Sequence, residues 1–357
     1  MATRSLYTLQ PRPLTVLFGD LENQAAAHDS VLVGTPGSLL ERQNASGFCY
    51  YARQFYDADG KKREQYVAGP VGDAQADAAA HRLRQRIDET KAVVGEVRLL
   101  GREGYQLADA RTFATLATLH NHGVFRAGAV VVGSHAFGIL LNQLGVRAAA
   151  YATEDVDLAR GQPLAFAEPP GQGLLAMLRE SGLNFVEVPA LDARQPSTSW
   201  KEAGRGRFHV DLLVPSNDDL YAAVHVPELQ AHATSLPYLR YVLGENHTAA
   251  VLAREGICLV RVPTAERFAV HKLVVSQLRV GRSAKSDRDL QQAAVLLAVL
   301  AEHHPGAIES AVADLPVSAR RYLAAGMAQV RVLLEGLHPR AWEELEGAWG
   351  VAAVGKL

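Results

Sequence analysis

The sequence lacks the features that mark disulfide-rich, secreted and membrane-spanning proteins. It has only two cysteines in 357 residues, Cys49 and Cys258, which stand far apart and outside any Cys-x-x-Cys pair. Neither a disulfide framework nor a zinc ribbon can be built from them. No uncharged run approaches the roughly 20 apolar residues that a membrane helix needs. Residues 1–16 lack the apolar stretch of a signal peptide. We therefore expect a cytoplasmic protein that does not bind membranes.

The sequence also lacks an excess of charge of one sign. Its 36 Lys and Arg residues nearly balance 38 Asp and Glu residues, for a formal net charge of −2. This balance argues against a protein that holds nucleic acid by bulk charge alone, although a local basic face stays open. Neither a P-loop nor a Gly-x-Ser-x-Gly elbow occurs, so Walker-type ATPases and serine hydrolases lack support.

The order of apolar patterns predicts three regions. Residues 1–120 form an N-terminal region that starts irregular or weakly helical and continues with a β-hairpin at 47–68 and long helices. Residues 121–262 alternate short strands and helices, which is typical of an α/β (α+β) core. Residues 263–357 carry a helical pattern and form a C-terminal helical domain.

Three acids in this central region stand within otherwise apolar strands. Asp155 and Asp157 alternate with Val156 and Leu158, and Asp211 interrupts a second strand. Side chains two apart on a strand point to the same face, so the first two carboxylates are neighbours. If the strand of Asp211 lies alongside, the three negative charges repel each other unless cations neutralise them. Oxygen ligands of this kind suit Mg²⁺.

The blander interpretation is that Asp155 and Asp157 are edge or turn acids and that Asp211 forms a salt bridge. The upstream residues Gly133 and Ser134 favour the metal site, because they end an apolar strand where a helix begins. Backbone N–H groups, a hydroxyl and the positive end of the helix dipole can hold phosphate oxygens there. Two metal ions about 4 Å apart would require Asp211 within about 8 Å of the acid pair.

Together, Val132-Gly133-Ser134, Asp155-Val156-Asp157-Leu158 and Val210-Asp211-Leu212 resemble the nucleotidyltransferase superfamily, which has the polymerase-beta-like fold. The resemblance implies a mixed-sheet catalytic core. It implies that Gly133 and Ser134 hold the β- and γ-phosphates of a nucleoside triphosphate. It also implies that Asp155, Asp157 and Asp211 hold Mg²⁺ or Mn²⁺, with Asp211 as general base. Ser134 and Asp155 are separated by 20 residues, longer than the family's usual spacer, which an insertion around 147–153 would explain.

A second part of the resemblance covers the start of the helical region. Residues 262–273, then Arg279 and 285–289, are similar to bacterial nucleotidyltransferase-like proteins of the abortive-infection and toxin type. This similarity implies that Lys272 and Lys285 contact the triphosphate, and it implies an antitoxin-like partner. The alternatives are a surface lysine at 272 and an i,i+4 pair between Lys285 and Asp289.

These observations predict a Mg²⁺-dependent enzyme that moves a nucleoside monophosphate (NMP) from a nucleoside triphosphate (NTP) to an acceptor hydroxyl and releases pyrophosphate. The acceptor could be RNA, a protein or a small molecule. One alternative is a non-catalytic nucleotide-binding module of a toxin–antitoxin or defence pair. A weaker alternative is a phosphohydrolase that uses the same acids.

Two further segments carry candidate binding residues. The hairpin 47–68 mixes aromatic and cationic side chains that could stack on bases, although such hairpins more often bury one aromatic face. The segment 195–207 could form a lip over the nucleotide, with Thr198, Ser199 or Lys201 as phosphate contacts, although a simple polar loop is the commoner outcome. The His pairs 120/122 and 303/304 lack neighbouring metal ligands at the right spacing.

Overall fold

A computed structural model describes residues 5–149, 153–190, 192, 194–204, 206–216, 221–279 and 284–354. The strands are β1 (Tyr7–Leu9), β2 (Ser38–Gln43), β3 (Cys49–Tyr56), β4 (Lys62–Ala68), β5 (Ala129–Val132), β6 (Val146–Ala148), β7 (Asp155–Arg160), β8 (Phe185–Glu187), β9 (Ser199–Glu202), β10 (His209–Pro215), β11 (Ala223–Val226), β12 (Ala231–Leu236), β13 (Asn246–Ala253) and β14 (Gly256–Pro263). The helices are α1 (Arg12–Ala26), α2 (Ala74–Arg102), α3 (Ala110–Asn121), α4 (Gly133–Gln143), α5 (Leu174–Arg179), α6 (Leu239–Leu243), α7 (Ala265–Leu278), α8 (Ala284–His303), α9 (Ala307–Ala313), α10 (Arg320–Leu337) and α11 (Pro339–Val354).

A mixed sheet of seven strands carries the predicted site. Its main path runs β11-β12-β10-β7-β5, and β9 pairs with β10 and with β8. Strand β7 is parallel to β10 and antiparallel to β5, so the sheet is mixed. The four residues of β5 are all buried, as a continuous apolar run predicts. The predicted α/β fold with a mixed-sheet core is confirmed.

The N-terminal region holds a second, three-stranded antiparallel sheet. The predicted hairpin is present as β3 and β4, and β2 adds a third strand that the sequence analysis did not assign. Helix α1 occupies part of a segment that was expected to be irregular or weakly helical. It begins beside Pro11 and Pro13, which are tolerated in the first turn of a helix. The long helix α2 begins at a proper cap, since the Asp73 carboxylate accepts hydrogen bonds from the N–H groups of Gln75 and Ala76.

The hairpin of β13 and β14 joins the sheet region to the N-terminal helices. Its strands pair antiparallel over their whole length. Ala250, Leu252 and Ile257 from this hairpin form a small core with residues of α1 and α2, including Phe18 and Val97. The apolar run 258–262, which Pro263 ends, predicts β14, whereas β13 was not assigned from the sequence. The N-terminal helices therefore pack directly against the residues that follow the seven-stranded sheet.

The C-terminal part is helical, as predicted, from α7 to α11. Helix α8 lies at its centre, and its residues 293–301 are all buried. Its side chains belong to the same large core as those of the seven-stranded sheet. In the described part of the chain, every helix is too short or too polar to span a bilayer.

Candidate active site

Gly133 and Ser134 begin α4 directly after β5, and Gly133 contacts Asp157. Gly133 has a φ of +68°, in the left-handed region that glycine adopts at low cost. A Cβ at this position would overlap the carboxylate of Asp157. Glycine is therefore needed here both for its backbone angle and for the close approach of Asp157. Ser134 lies in the first turn of α4, where helix N–H groups are available to an anion.

Asp155 and Asp157 point to the same face of β7. Burial alternates along this strand, with Val156 and Leu158 fully buried and the two acids only partly buried. The alternation follows from the two-residue period of a strand. The carboxylates consequently stand on the face of the sheet opposite to these apolar side chains.

Asp211 lies beside the acid pair. In the parallel pairing of β7 with β10, Asp211 is the register partner of Asp157, and His209 is that of Asp155. Neighbouring strands are about 4.8 Å apart, and register partners share a face. The backbone therefore places Asp211 within the distance of about 8 Å that a shared pair of ions about 4 Å apart requires.

Strand β9 extends this face on the other side of β10. Ser199 is the register partner of Asp211, and Lys201 is that of His209. The six residues form two rows across three strands, which we call the site face: Asp157, Asp211 and Ser199 in one row, and Asp155, His209 and Lys201 in the other. The rows run from acidic side chains on β7 to a hydroxyl and an ammonium group on β9.

His209 is a site residue that the sequence analysis missed. Its Nδ1 lies 3.2 Å from Oδ1 of Asp155, and its Nε2 lies 3.4 Å from Oδ2 of Asp211. The hydrogen bond to Asp211 is the main cause that raises the pKa of His209 to about 9, and Asp155 adds to it. The imidazolium thus balances part of the negative charge. One signal was available, because His209 stands two residues before Asp211 on the same strand.

The carboxylates of the site face differ in their protonation. The pKa of Asp157 is raised from 3.8 to about 7, chiefly by burial and next by the charge of Asp211, while Lys272 opposes the shift. Burial alone would also raise the pKa of Asp211. Hydrogen bonds from His209 and Ser199 outweigh burial and lower the pKa of Asp211 below its ordinary value.

The donor chemistry of this face fits a hard divalent cation. Three carboxylates approach each other, and the charge of Asp211 adds to the rise in the pKa of Asp157 that burial chiefly causes. In the described residues, no three His, Cys, Asp or Glu side chains already form a ligand set. His209 instead bridges two of the acids. Asp155 and Asp211 would have to turn away from His209 to share an ion with Asp157.

The two lysines that were predicted to contact the triphosphate differ in their burial and in their partners. Lys272 is buried on α7, where its Nζ donates to Asp289 Oδ1 at 2.7 Å, and Arg279 Nε donates to the other oxygen of Asp289 at 2.8 Å. Its charge still lowers the pKa of Asp157, so it acts on the site face electrostatically. Lys285 is exposed at the start of α8, and its charge lowers the pKa of Asp211. Lys272 is thus a buried, paired residue and not a surface lysine.

A cleft of about 690 Å³ opens over the site face. Its lining includes the cation Arg207 and five residues of that face, namely Asp155, Ser199, Lys201, His209 and Asp211. Glu154 and Arg288 also border it. Ser134 lines a neighbouring cavity of about 330 Å³, and both cavities reach Thr153. This arrangement gives a substrate access to the carboxylates from solvent.

Other candidates from the sequence have structural contacts. On the three-stranded sheet, Tyr50 lies 5.6 Å from Tyr66 between ring centroids, and Arg42 pairs with Glu64. His120 Nδ1 lies 2.9 Å from the carbonyl oxygen of Leu259. Part of the proposed lip, 199–202, is strand β9, while Arg205 lies outside the described residues.

Comparison with known proteins agrees with this geometry. A family model described as nucleotidyltransferase matches residues 110–316, more than half of the chain. A search of curated proteins finds no match. The matched segment runs from α3 to the residues just after α9, and it contains the Gly133-Ser134 turn, all three aspartates and both lysines. The glycine turn packed against paired acids is thus found within a recognised family, and the chain belongs to the nucleotidyltransferases.

Proposed function

We propose that this protein is a Mg²⁺-dependent enzyme that transfers an NMP from an NTP to an acceptor hydroxyl, with Mn²⁺ as an alternative ion. One observation supports the proposal above all others. Asp155, Asp157 and Asp211 share one face of the sheet, directly beside the Gly133 turn.

The residues have distinct roles in this reaction. The N–H groups at the start of α4 and the Ser134 hydroxyl bind the β- and γ-phosphates, favoured by the helix dipole. Asp155, Asp157 and Asp211 would hold the metal ions. When bound, the metal lowers the pKa of the attacking hydroxyl and neutralises charge on the leaving pyrophosphate.

The reaction forms one phosphorus–oxygen bond, breaks another and releases one proton from the acceptor hydroxyl. The acceptor oxygen forms a bond to the α-phosphorus, and the bond from this phosphorus to the bridging oxygen of pyrophosphate breaks. The acceptor's proton passes to Asp211, which then returns it to solvent. Because the pKa of Asp211 is lowered, its carboxylate is ionised at neutral pH and does not already hold the proton that it is to accept. Lys272 and Lys285 add positive charge near the triphosphate.

The test is transfer of label from each α-labelled NTP, with Mg²⁺ or Mn²⁺, to total RNA or to cell lysate. We expect transfer by the wild type and none by Asp157→Ala. The matched control is Glu187→Ala, which removes an exposed acid from β8 of the same sheet. Nucleotide binding without transfer would instead support a non-catalytic binding module. Release of free phosphate in place of pyrophosphate would support a phosphohydrolase.

The narrower assignments stay predictions. They are the abortive-infection or toxin-like type, the antitoxin-like partner and the cytoplasmic location. The three proposed regions, 1–120, 121–262 and 263–357, also stay a prediction.

A further inference from the structure

The direction from which the acceptor approaches follows from the proposed function, on which this inference rests. The attacking oxygen and the leaving oxygen lie roughly in line on opposite sides of the phosphorus. Gly133 and Ser134, which would hold the leaving pyrophosphate, follow β5 on one side of β7. Strands β10 and β9 lie on the other side of β7. The acceptor hydroxyl therefore enters over β10 and β9.

That side of the cleft carries two exposed cations. Lys201 stands on β9 as the register partner of His209, and Arg207 lies just before β10. Both line the cleft. Within the described ranges, neither side chain has a salt-bridge partner, whereas nearby Arg111 pairs with Glu202 and with Asp59.

Along the second row of the site face, the side chains change from a carboxylate on β7 to an ammonium group on β9. Asp155, His209 and Lys201 stand on three successive strands. Two strand spacings separate Lys201 from the metal-holding end, which is about 9.6 Å. An acceptor that spans this row meets the metal site at its hydroxyl and a positive charge at its other end.

We propose that the acceptor is the 3′ end of a nucleic-acid strand, whose last internucleotide phosphate binds Lys201 and Arg207. Such an end carries a sugar hydroxyl and a phosphate on the same nucleotide. A protein hydroxyl would need an acidic side chain at the matching distance to neutralise both cations, whereas a nucleic-acid end of any sequence carries the phosphate there. A polycationic small acceptor would be repelled by them. The small net charge of the chain is compatible with this contact, because it involves only two local cations.

The experiment compares the wild type with the double variant Lys201→Gln/Arg207→Gln. The probes are a short single-stranded RNA, a DNA of the same sequence, and the RNA with an uncharged methylphosphonate at its last linkage. The control is Arg82→Gln/Arg98→Gln, which removes two exposed cations from α2. Transfer is measured with labelled NTP, and binding of each strand is measured separately without NTP over a range of salt.

We expect the double variant to raise the KM for the RNA about 10- to 100-fold, and to change the KM for NTP much less. The slope of log affinity against log salt should fall by about 0.7, since both cations bind one phosphate and each neutralised phosphate on a single strand contributes about 0.7. The methylphosphonate should weaken the wild type and not the double variant, because the contact is then already absent. The DNA arm shows whether the strand must be RNA.

Three outcomes would overturn the inference. The first is an equal KM and an equal salt slope for the wild type and the double variant. The second is an effect of the α2 control as large as that of the double variant. The third is label that enters only protein or a small molecule. If no NMP is transferred but strands bind through Lys201 and Arg207, the proposed function fails while the assigned nucleic-acid contact survives.

Discussion

The charged residues of the site face and those between α7 and α8 differ in how completely their charges are compensated. On the site face, three acids meet one imidazolium, and the pKa of Asp157 is raised to about 7. Between α7 and α8, each oxygen of Asp289 receives a cation, one from Lys272 and one from Arg279. A buried charge that is fully paired serves the fold. A group of charges left short of cations is suited to bind them.

The largest effect is expected from breaking the paired group. Asp289→Leu leaves Lys272 buried without its carboxylate, which should lower the free energy of unfolding by about 3–5 kcal/mol. Urea denaturation measures this loss. The double variant Lys272→Met/Asp289→Leu should recover most of it, because no buried charge then lacks a partner. If Asp289→Leu were as stable as the wild type, the proposed contrast between the site face and the charges between α7 and α8 would be wrong.

Removing a charge from the site face should change the free energy of unfolding in the opposite direction. The folded pKa of Asp157, about 7, exceeds its ordinary 3.8. The metal-free protein therefore loses stability as pH rises between these values, and the loss persists above about pH 7. Asp157→Asn removes this cost, so it should stabilise the metal-free protein by about 2 kcal/mol near pH 8 while it abolishes transfer. Denaturation of Asp157→Asn and of Glu187→Gln would be compared, and a destabilised Asp157→Asn would contradict the interpretation.

A third prediction concerns His271, which lies next to Lys272 on α7. Burial is the main cause that lowers its pKa from 6.5 to about 3. The unfolded chain binds this proton more tightly, so stability is lost as pH falls from about 6.5 towards 3. At about pH 5, His271→Leu should lose about 1–2 kcal/mol less than the wild type does, relative to neutral pH. Urea midpoints at both pH values test this, and equal losses in the two proteins would refute it.

The smallest effect is expected from Ser199, whose hydroxyl donates to Asp211. Ser199→Ala should cost about 1 kcal/mol of stability. It should also raise the pKa of Asp211, because a hydrogen bond to the charged form is lost. The acid limb of the transfer rate should then move to higher pH. Ser38→Ala, at an exposed position of β2, is the control and should leave the pH profile in place.

Local sequence patterns were sufficient to predict much of the site. The alternation around Asp155 and Asp157 and the apolar run before Gly133 each follow from the residues of a single strand. The contact with His209 could not be predicted in the same way, because it depends on the register between β7 and β10, which lie about 50 residues apart in sequence. The partner of Asp289 is a similar case. The i,i+4 rule pointed to Lys285, whereas Lys272 and Arg279 occupy its two oxygens.

The fold also has elements that local sequence patterns predict and elements that they do not. Helices α7 to α11 have periodic apolar faces and were predicted. Strand β13 was missed because Asn246–Ala253 is rich in alanine and has few strand-forming residues; its pairing with β14 makes it a strand. The segment of helix α1 was predicted only as irregular or weakly helical because of its prolines, although both lie where a helix tolerates them.

Strand β1 shows how early residues hold later parts of the chain. It pairs with β6, and the Tyr7 hydroxyl donates to Glu302 near the end of α8. The ring of Tyr7 also stacks on His338, just before α11. A shortened chain that starts at residue 110, where the family match begins, would lose this strand and expose the edge of β6. Expression of the matched segment alone should therefore yield aggregated material, and work on the purified enzyme should keep its first ten residues intact and free of bulky fusions.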